Sequence, residues 1–203
     1  EPYHVWVSEI MLQQTRVEAV VGYYDRFLKA LPDIRALADA PEDQLMKLWE
    51  GLGYYSRARN LQKAARQIME RHGGTFPRDA ADIRALAGIG DYTAGAIGSI
   101  CFEYPTAAVD GNVLRVVSRV TGSDAPIDKP ETKKKIGVDL SAVYPAGHCG
   151  DFTQSLMELG ATVCTPRGAR CGVCPLADIC AAKREDRVDA LPVKGEKRAR
   201  KIE

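Results

Sequence analysis

The chain has 203 residues, of which 45% are hydrophobic and 27% are charged, and its formal net charge is +1. This is the composition of an ordinary globular protein of one or two domains, and its charge excludes a globally basic nucleic-acid-binding protein. No apolar run approaches the roughly 20 residues of a membrane-spanning helix, and the first residues lack the basic start and apolar stretch of a signal peptide. Any DNA-binding surface must therefore be a local patch.

Helical periodicity runs through most of the chain. Apolar residues recur at intervals of three and four in a run that ends before Pro32, and again after Pro41, which we expect in the first turn of its helix. Another helix is expected to end at Gly73 and Gly74, because glycine ends many helices. The apolar runs span residues 17–31, 45–52, 61–68, 83–86, 94–102, 113–120 and 152–163. No strand-like alternation is sustained, so the predicted fold class is all-α.

Glu9 is a candidate general acid. It lies between apolar residues on one side and the amide side chains of Gln13 and Gln14 on the other. A carboxyl group against an apolar wall tends to have a raised pKa, which allows it to donate a proton near neutral pH. The alternative is a structural role in the first turn of a helix, where the helix dipole stabilises a negative charge.

Gly88 and Gly90 form a Gly-x-Gly turn between two helical runs. Two glycines allow a tight turn and a close approach to another molecule, and the first N–H groups of the following helix form a natural phosphate site. Such a hairpin can bind the DNA backbone without reading its sequence, although a plain turn between helices has the same pattern. The position of the turn some twenty residues before Asp110 favours the DNA-binding interpretation.

Asp110 directly precedes the amphipathic run that starts at Val113. Aspartate is a frequent N-cap, because its carboxylate accepts hydrogen bonds from the first N–H groups of a helix. An N-cap aspartate at the mouth of a cleft can also face a developing positive charge. The structural and the catalytic interpretations of Asp110 are therefore compatible.

Four of the six cysteines are close together in the pattern Cys-x6-Cys-x2-Cys-x5-Cys, at Cys164, Cys171, Cys174 and Cys180. Without a secretory signal, such a group indicates metal binding rather than disulfides. An iron–sulfur cluster fits better than zinc, whose sites usually combine two Cys-x2-Cys pairs; unligated cysteines are the third possibility. Arg167 and Arg170 lie between the first two cysteines and either contact DNA phosphates or are solvated.

The last residues, 188–203, are polar and basic with few apolar side chains. This composition is typical of a linker, and we expect residues 191–203 to lead to a further domain. At the other end, the chain lacks an initiator methionine and already looks like core at Val5, Trp6 and Val7. We therefore expect the native N-terminus to lie upstream.

Several segments, in order, resemble bacterial adenine DNA glycosylases of the MutY family. The two most specific segments are SEIMLQQT at residues 8–15 and GLGYYSRARN at residues 51–60. They are followed by GIGDYTA at residues 88–94, VDGNV at residues 109–113 and the cysteine pattern. The hairpin and the cysteine spacing are shared with the wider endonuclease III superfamily. The resemblance extends from residue 1 to about residue 195.

The resemblance implies an all-α fold of two helical lobes with a DNA-binding cleft between them. Residues 1–106 would form a six-helix lobe with the hairpin, and residues 107–190 a lobe with a four-iron four-sulfur cluster on the four cysteines. The implied partner is double-stranded DNA in which adenine is mispaired with 8-oxoguanine or guanine. We expect a monomeric, cytoplasmic and nucleoid-associated bacterial enzyme. Family members also have a helical segment before residue 1 and a guanine-inspecting domain after the linker.

The implied reaction is hydrolysis of the N-glycosidic bond of an adenine that has been flipped out of the duplex. Glu9 would protonate the leaving adenine. Asp110 would stabilise the positive charge that develops on the sugar, with a covalent sugar adduct as one route. Asn112 would orient Asp110 through a hydrogen bond, and Tyr92 would donate its hydroxyl group nearby.

The remaining implied residues contact the substrate. Gln154 would read adenine through its amide group, unless it is simply a surface glutamine. Leu12, Gln14, Thr15 and Tyr54 would fill or wedge the base stack opposite the extruded base, and the alternative for Tyr54 is a core aromatic residue. The two hairpin glycines would bind the DNA backbone.

One position separates the relatives. Bifunctional members carry a catalytic lysine just after the hairpin, where this chain has Tyr92. Because tyrosine has no amine to form a Schiff base, the resemblance implies a monofunctional glycosylase with little strand cleavage. The alternatives are a non-catalytic DNA-binding module, a glycosylase–lyase acting on oxidised pyrimidines, and a zinc-stabilised helical interaction domain.

Overall fold

The helical spacing of the sequence corresponds to helices in the computed structural model of the protein, which describes residues 1–195. The chain forms two compact units, the first covering Glu1–Tyr104 and the second beginning at Pro105. No residue of the described part is in a β-strand, so the all-α prediction is confirmed. Within residues 1–195, no helix has both the length and the apolar character that crossing a bilayer would require.

The first unit contains seven α-helices, two of which have only five or six residues. They are α1 (Pro2–Leu12), α2 (Val17–Ala30), α3 (Ile34–Asp39), α4 (Glu42–Trp49), α5 (Ser56–His72), α6 (Ala80–Arg84) and α7 (Asp91–Phe102). The sequence pattern did not predict α1, because this helix is apolar on nearly every side and lacks the one-sided stripe of a surface helix. Its residues Trp6 and Met11 are fully buried.

Aromatic side chains tie α1 and α4 into the core of this unit. Trp6 meets Phe76 edge-on, with 5.5 Å between the ring centroids, and Phe27 meets Trp49 at 6.0 Å. Edge-to-face pairs of this kind stabilise a core by about 0.5–1.5 kcal/mol beyond their buried area. α1 itself packs against α2, α5 and α7.

Helix ends follow the predicted signals with two differences. Gly73 ends α5 in the left-handed conformation, with φ of 60°, as glycine does at many helix C-termini. Pro41 is the N-cap of α4 and not a first-turn residue, because its ψ of 145° is extended. Leu52 lies beyond α4, which ends at Trp49, although its side chain is buried.

The second unit is built around α8. Its helices are α8 (Gly111–Thr121), α9 (Pro130–Ser141), α10 (Cys149–Thr162), a short 3-10 helix (Cys171–Val173) and α11 (Ala181–Arg184). α8 packs against α9, α10 and α11. The buried core of this unit consists of Val109, Val113, Leu114, Val116, Ile136, Leu140 and Leu156.

Part of the expected linker is fixed to the second unit. Leu191 is buried, and its carbonyl accepts a hydrogen bond from Nε of Arg119 at 2.9 Å. The N–H of Ile127 donates to the carbonyl of Val193 at 3.0 Å, and the N–H of Gly195 donates to Asp128 at 2.7 Å. Composition indicated a linker from residue 191, but these backbone hydrogen bonds fix residues 191–195. Residues 196–203 of the predicted linker lie outside the described residues.

Candidate active site

Glu9 lies in the last turn of α1, with only 9% of the residue exposed. The first-turn alternative is therefore wrong, since the eighth residue of an eleven-residue helix lies far from the positive end of the dipole. α1 packs against α7. Burial raises the pKa of the Cys101 thiol on α7, and the negative charge of Glu9 adds to this rise. The carboxyl group of Glu9 is thus enclosed between protein groups of the first unit.

Asp110 is the N-cap of α8, as predicted. Its Oδ1 accepts a hydrogen bond from the N–H of Val113 at 2.7 Å, which satisfies a free donor of the first turn. Its Oδ2 accepts a hydrogen bond from Nδ2 of Asn112 at 3.0 Å, so the expected contact between these two side chains is present. Both carboxylate oxygens of Asp110 are therefore held in place by residues of the same helix turn.

Arg115 continues this network, although it is not among the residues that the sequence predicted for the site. The residue is 9% exposed and its Nη2 donates to Oδ1 of Asn112 at 2.8 Å and to the carbonyl of Gly160 at 2.7 Å. Its Nε donates to the carbonyl of Cys164 at 2.7 Å. One guanidinium group therefore connects the Asp110–Asn112 pair with α10 and with the first of the four clustered cysteines.

Gly160 allows α10 to approach the start of α8. A Cβ atom at this position would lie 2.6 Å from Cβ and 3.0 Å from Cα of Asn112. Real side chains do not tolerate such distances, and the backbone of α8 cannot move without shifting Asp110. The absence of a side chain at Gly160 is therefore part of what positions the Asp110–Asn112 pair.

The Gly-x-Gly turn joins α6 to α7 and rests on α5. Gly88 has φ of 77°, and a Cβ atom there would lie 2.8 Å from Cβ of Asn60 on α5. The N–H of Ala87 donates to Oε1 of Gln67 at 2.8 Å. Gly90 is the N-cap of α7 and provides no side-chain cap to its first turn. The turn is thus fixed from below by α5, with the start of α7 left without a capping side chain.

The two glycines of this turn should differ in their tolerance to a methyl group. Gly88→Ala is expected to destabilise the protein by about 2–4 kcal/mol, because it combines left-handed strain with the overlap on Asn60. Gly90→Ala should cost less than about 1 kcal/mol, since its φ is −96° and a Cβ atom there meets nothing within 4 Å. Urea unfolding of both variants checks this; equal midpoints would contradict the geometry.

The expected stack-filling residues lie on two short segments of the first unit. Gln14 is exposed with φ of 57°, and Leu12 and Thr15 are half-buried beside it. Tyr54 is 62% exposed with φ of 47°. The core alternative for Tyr54 is therefore wrong. Exposed side chains on strained backbone are a frequent feature of functional segments.

Tyr92 and Gln154 lie in different units. Tyr92 is half-buried in the first turn of α7, just after the Gly-x-Gly turn. Gln154 is exposed on α10, and its amide makes one long contact of 3.4 Å with the carbonyl of Gly150. Its amide is therefore accessible from solvent, as both predicted interpretations of Gln154 require.

All four clustered cysteines line one cavity in the second unit, of about 400 Å³ including its open mouth. Its other walls are largely apolar, from residues such as Val116, Val120, Leu159 and Val163, and two cations, Arg119 and Lys183, also face it. Nη1 of Arg119 lies 3.3 Å from Sγ of Cys164. Within residues 1–195, no group of three or more Cys, His, Asp or Glu side chains is arranged to hold a single metal ion.

The two arginines of the cysteine loop differ in their environment. Nε and Nη2 of Arg170 both donate to the carbonyl of Thr162, which caps the C-terminal end of α10. Arg167 is exposed. Arg170 therefore has a structural role that the sequence did not indicate, whereas the phosphate contact proposed for Arg167 stays a prediction.

Curated relatives cover nearly all of this chain. The adenine DNA glycosylase of Homo sapiens is 45% identical over 95% of the chain, and that of Buchnera aphidicola subsp. Acyrthosiphon pisum is 37% identical over 97%. The chain covers 36% and 56% of those proteins, respectively, and so spans about half of their length or less. Among solved structures, a thermostable thymine-DNA glycosylase matches with a TM-score of 0.82 and 28% identity, over 91% of this chain and 85% of that one.

A family model settles the wider relationship. The model described as "HhH-GPD superfamily base excision DNA repair protein" matches residues 7–140, which is more than half of the chain. The matched range includes Glu9, the Gly-x-Gly turn and the Asp110–Asn112 pair. This chain therefore belongs to the HhH-GPD superfamily of base excision DNA repair proteins.

Proposed function

We propose that this chain is the catalytic part of a monofunctional adenine DNA glycosylase, which removes adenine mispaired with 8-oxoguanine or guanine in double-stranded DNA. The proposal is carried by the sequence identity of 37–46% between this chain and adenine DNA glycosylases, over at least 88% of the chain. The chain acts as a monomer in the bacterial cytoplasm, close to the nucleoid.

On the base side of the reaction, Glu9 protonates adenine so that it leaves as a neutral molecule. Cleavage of the N-glycosidic bond places negative charge on the leaving base, and a proton donor on that base lowers the barrier. The burial of Glu9 supports this role, because a buried carboxyl group meets a flipped base without competition from water. Once the base is protonated, the resulting carboxylate is able to activate a water molecule.

On the sugar side, Asp110 stabilises the oxocarbenium ion that forms as the bond breaks. Its two hydrogen bonds leave further acceptor capacity on both oxygens, since an ionised carboxylate has about four lone-pair sites. Asn112 fixes the orientation of the carboxylate, so that little reorganisation accompanies the development of charge. As an alternative route, one oxygen of the Asp110 carboxylate forms a covalent adduct with the sugar.

Tyr92 makes the enzyme monofunctional. Its position in the first turn of α7 is the one where a lyase would need an amine, and a phenol cannot form a Schiff base. The hydroxyl group of Tyr92 instead donates a hydrogen bond near the reacting nucleotide. The abasic product therefore leaves with both strands intact.

Recognition of the duplex uses groups that do not react. The Gly-x-Gly turn of Gly88 and Gly90 binds the DNA backbone, supported by the absence of a side-chain cap at the start of α7. Leu12, Gln14, Thr15 and Tyr54 fill the base stack when adenine leaves it. Gln154 hydrogen-bonds the edge of the extruded adenine.

Cys164, Cys171, Cys174 and Cys180 hold a four-iron four-sulfur cluster. Each cysteine of such a cluster binds a different iron atom, so the four sulfur atoms surround a volume rather than converging on one ion. A cavity lined by all four cysteines fits this arrangement, and the cations Arg119 and Lys183 offset the negative charge of the thiolates. The cluster stabilises the fold of the second unit and takes no part in bond cleavage.

Loss of one cavity cysteine is expected to remove the cluster. Cys171→Ser should abolish the visible absorbance of the purified protein and lower its iron and sulfide from about four each per chain. Cys101→Ser is the matched control, because Cys101 lies in the first unit, outside the cavity. Iron and sulfide analysis decides; an iron content that Cys171→Ser leaves unchanged, or zinc in place of iron, would refute the assignment.

The function is tested with single-turnover reactions on labelled duplexes that contain A:8-oxoguanine, A:G, T:G or an oxidised pyrimidine. Each time point is divided and analysed with and without hot alkali. We expect breaks in the adenine strand only after alkali. Breaks without alkali would indicate a lyase, breaks at thymine a different specificity, and binding without breaks in any duplex a non-catalytic DNA-binding module.

A further inference from the structure

Arg57 is a buried arginine on the apolar face of α5. It is 8% exposed, and residues further along the same face, Leu61, Ala64 and Ile68, lie in the core. Within residues 1–195, no carboxylate forms an ion pair with Arg57. A buried charge without an ionic partner is costly unless hydrogen bonds satisfy it. The hydrogen-bond acceptors around Arg57 therefore indicate its role.

The two terminal nitrogens of Arg57 contact six oxygen atoms at distances of 2.5–3.2 Å. The acceptors are the carbonyl oxygens of Ile10, Met11, Gln13, Leu52 and Gly53 and the hydroxyl oxygen of Thr15. The first three belong to the C-terminal end of α1, where a cation is favoured by the helix dipole. One planar group therefore joins two segments, residues 13–15 and 52–54, that are about forty residues apart in sequence.

Both segments contain a residue in the left-handed conformation. Gln14 has φ of 57° and Tyr54 has φ of 47°, and neither is a glycine. Such conformations are unfavourable for residues with a Cβ atom and persist only where the surrounding structure fixes them. The guanidinium of Arg57 also lies 5.6 Å from the centre of the Tyr54 ring. Arg57 thus supports both strained positions, whose side chains are exposed.

We propose that Arg57 is a positioning residue for base extrusion, which fixes residues 13–15 and 52–54 relative to each other so that they enter the DNA stack as one unit. This inference rests on the proposed function. A preformed wedge avoids the entropic cost of ordering two separate segments while the duplex opens. Loss of Arg57 should therefore slow the release of paired adenine more than that of unpaired adenine.

The test compares Arg57→Lys with the parent protein on two duplexes, in single turnover. One duplex has adenine opposite 8-oxoguanine, and the other has adenine opposite a tetrahydrofuran abasic analogue, which offers no base to pair with. Lysine retains the charge but not the planar fork. We expect about a tenfold or larger loss of rate on the paired duplex and at most about a twofold loss on the unpaired one.

Two further variants keep the result interpretable. Arg59→Lys, at an exposed position of the same helix, should leave both rates unchanged. If Arg57→Lys does not fold, Thr15→Val, which loses the hydroxyl acceptor of Arg57, is compared with Thr15→Ser, which keeps it. Only Thr15→Val should show the same difference between the duplexes, to a smaller extent. Equal losses on the two duplexes, or no loss on the paired duplex, would overturn the positioning role.

A failure of the proposed function would look different. If the parent protein releases adenine from neither duplex, the glycosylase assignment fails while Arg57 is still testable. In that case, 2-aminopurine replaces the target adenine, and its fluorescence on binding reports extrusion without chemistry. A rise that Arg57→Lys weakens at equal DNA occupancy supports the positioning role, and an unchanged rise overturns it.

Discussion

Glu9→Gln is expected to abolish adenine release while the protein still binds its DNA. Glutamine keeps the size of the side chain and a hydrogen-bonding oxygen, but its amide has no acidic proton to transfer to the leaving base. General acid catalysis typically contributes a factor of about 100–10,000 to a rate. Because Glu9 is buried, water is a poor substitute for the missing acid. We expect the single-turnover rate to fall by at least about 100-fold.

The measurement is the appearance of free adenine from a duplex with an A:8-oxoguanine pair, with DNA affinity determined in parallel by fluorescence polarisation. Glu18→Gln on α2 is the matched control, since Glu18 is exposed and the same charge is removed. A Glu9→Gln protein that keeps a tenth or more of the parent rate would show that the proton comes from elsewhere. Loss of both binding and release would point to misfolding, which thermal unfolding detects.

Much of the fold could be predicted from apolar spacing, since helices such as α5 and α8 have one buried face and one exposed face. Helix α1 was not predicted, because its burial on nearly all sides removes the periodic signal on which the prediction depends. The attachment of residues 191–195 was not predicted for a related reason. Their attachment depends on backbone hydrogen bonds and on one buried leucine, Leu191, which composition does not reveal.

In the candidate site, too, local contacts were predictable from the sequence and long-range contacts were not. Asp110 and Asn112 were predictable, because an N-cap and its neighbour interact over a few residues. Arg57 and Arg115 were not singled out, because their partners lie up to 49 residues away in sequence. A local signal did exist, since both arginines occupy positions on the apolar faces of their helices. A charged residue at such a position indicates a buried hydrogen-bond network.

Arg115→Met is expected to disable the protein through the arrangement of Asp110, although Arg115 itself does no chemistry. Methionine has a similar length and no donors, so Oδ1 of Asn112 and the carbonyls of Gly160 and Cys164 all lose a partner. Each buried acceptor left unsatisfied costs about 1–3 kcal/mol. Residues that orient metal ligands through hydrogen bonds typically contribute a factor of about 10–100 to affinity or activity, and Arg115 orients Asn112 in the same indirect way. We expect the release rate to fall by about 100-fold, together with lower thermal stability.

Gly160→Ala tests whether the position of Asn112 matters while Arg115 is unchanged. It leaves every donor of Arg115 in place, but the added Cβ atom would lie only 2.6 Å from Cβ of Asn112. Gly111→Ala is its control, since a Cβ atom at Gly111 meets nothing within 4 Å. If Asn112 must stay where it is to orient Asp110, Gly160→Ala lowers the release rate as Arg115→Met does, and Gly111→Ala does not. If Arg115→Met is slow but Gly160→Ala is fully active, the position of Asn112 does not control the rate. The effect of Arg115→Met would then come from its contact with Cys164, which lines the cysteine cavity.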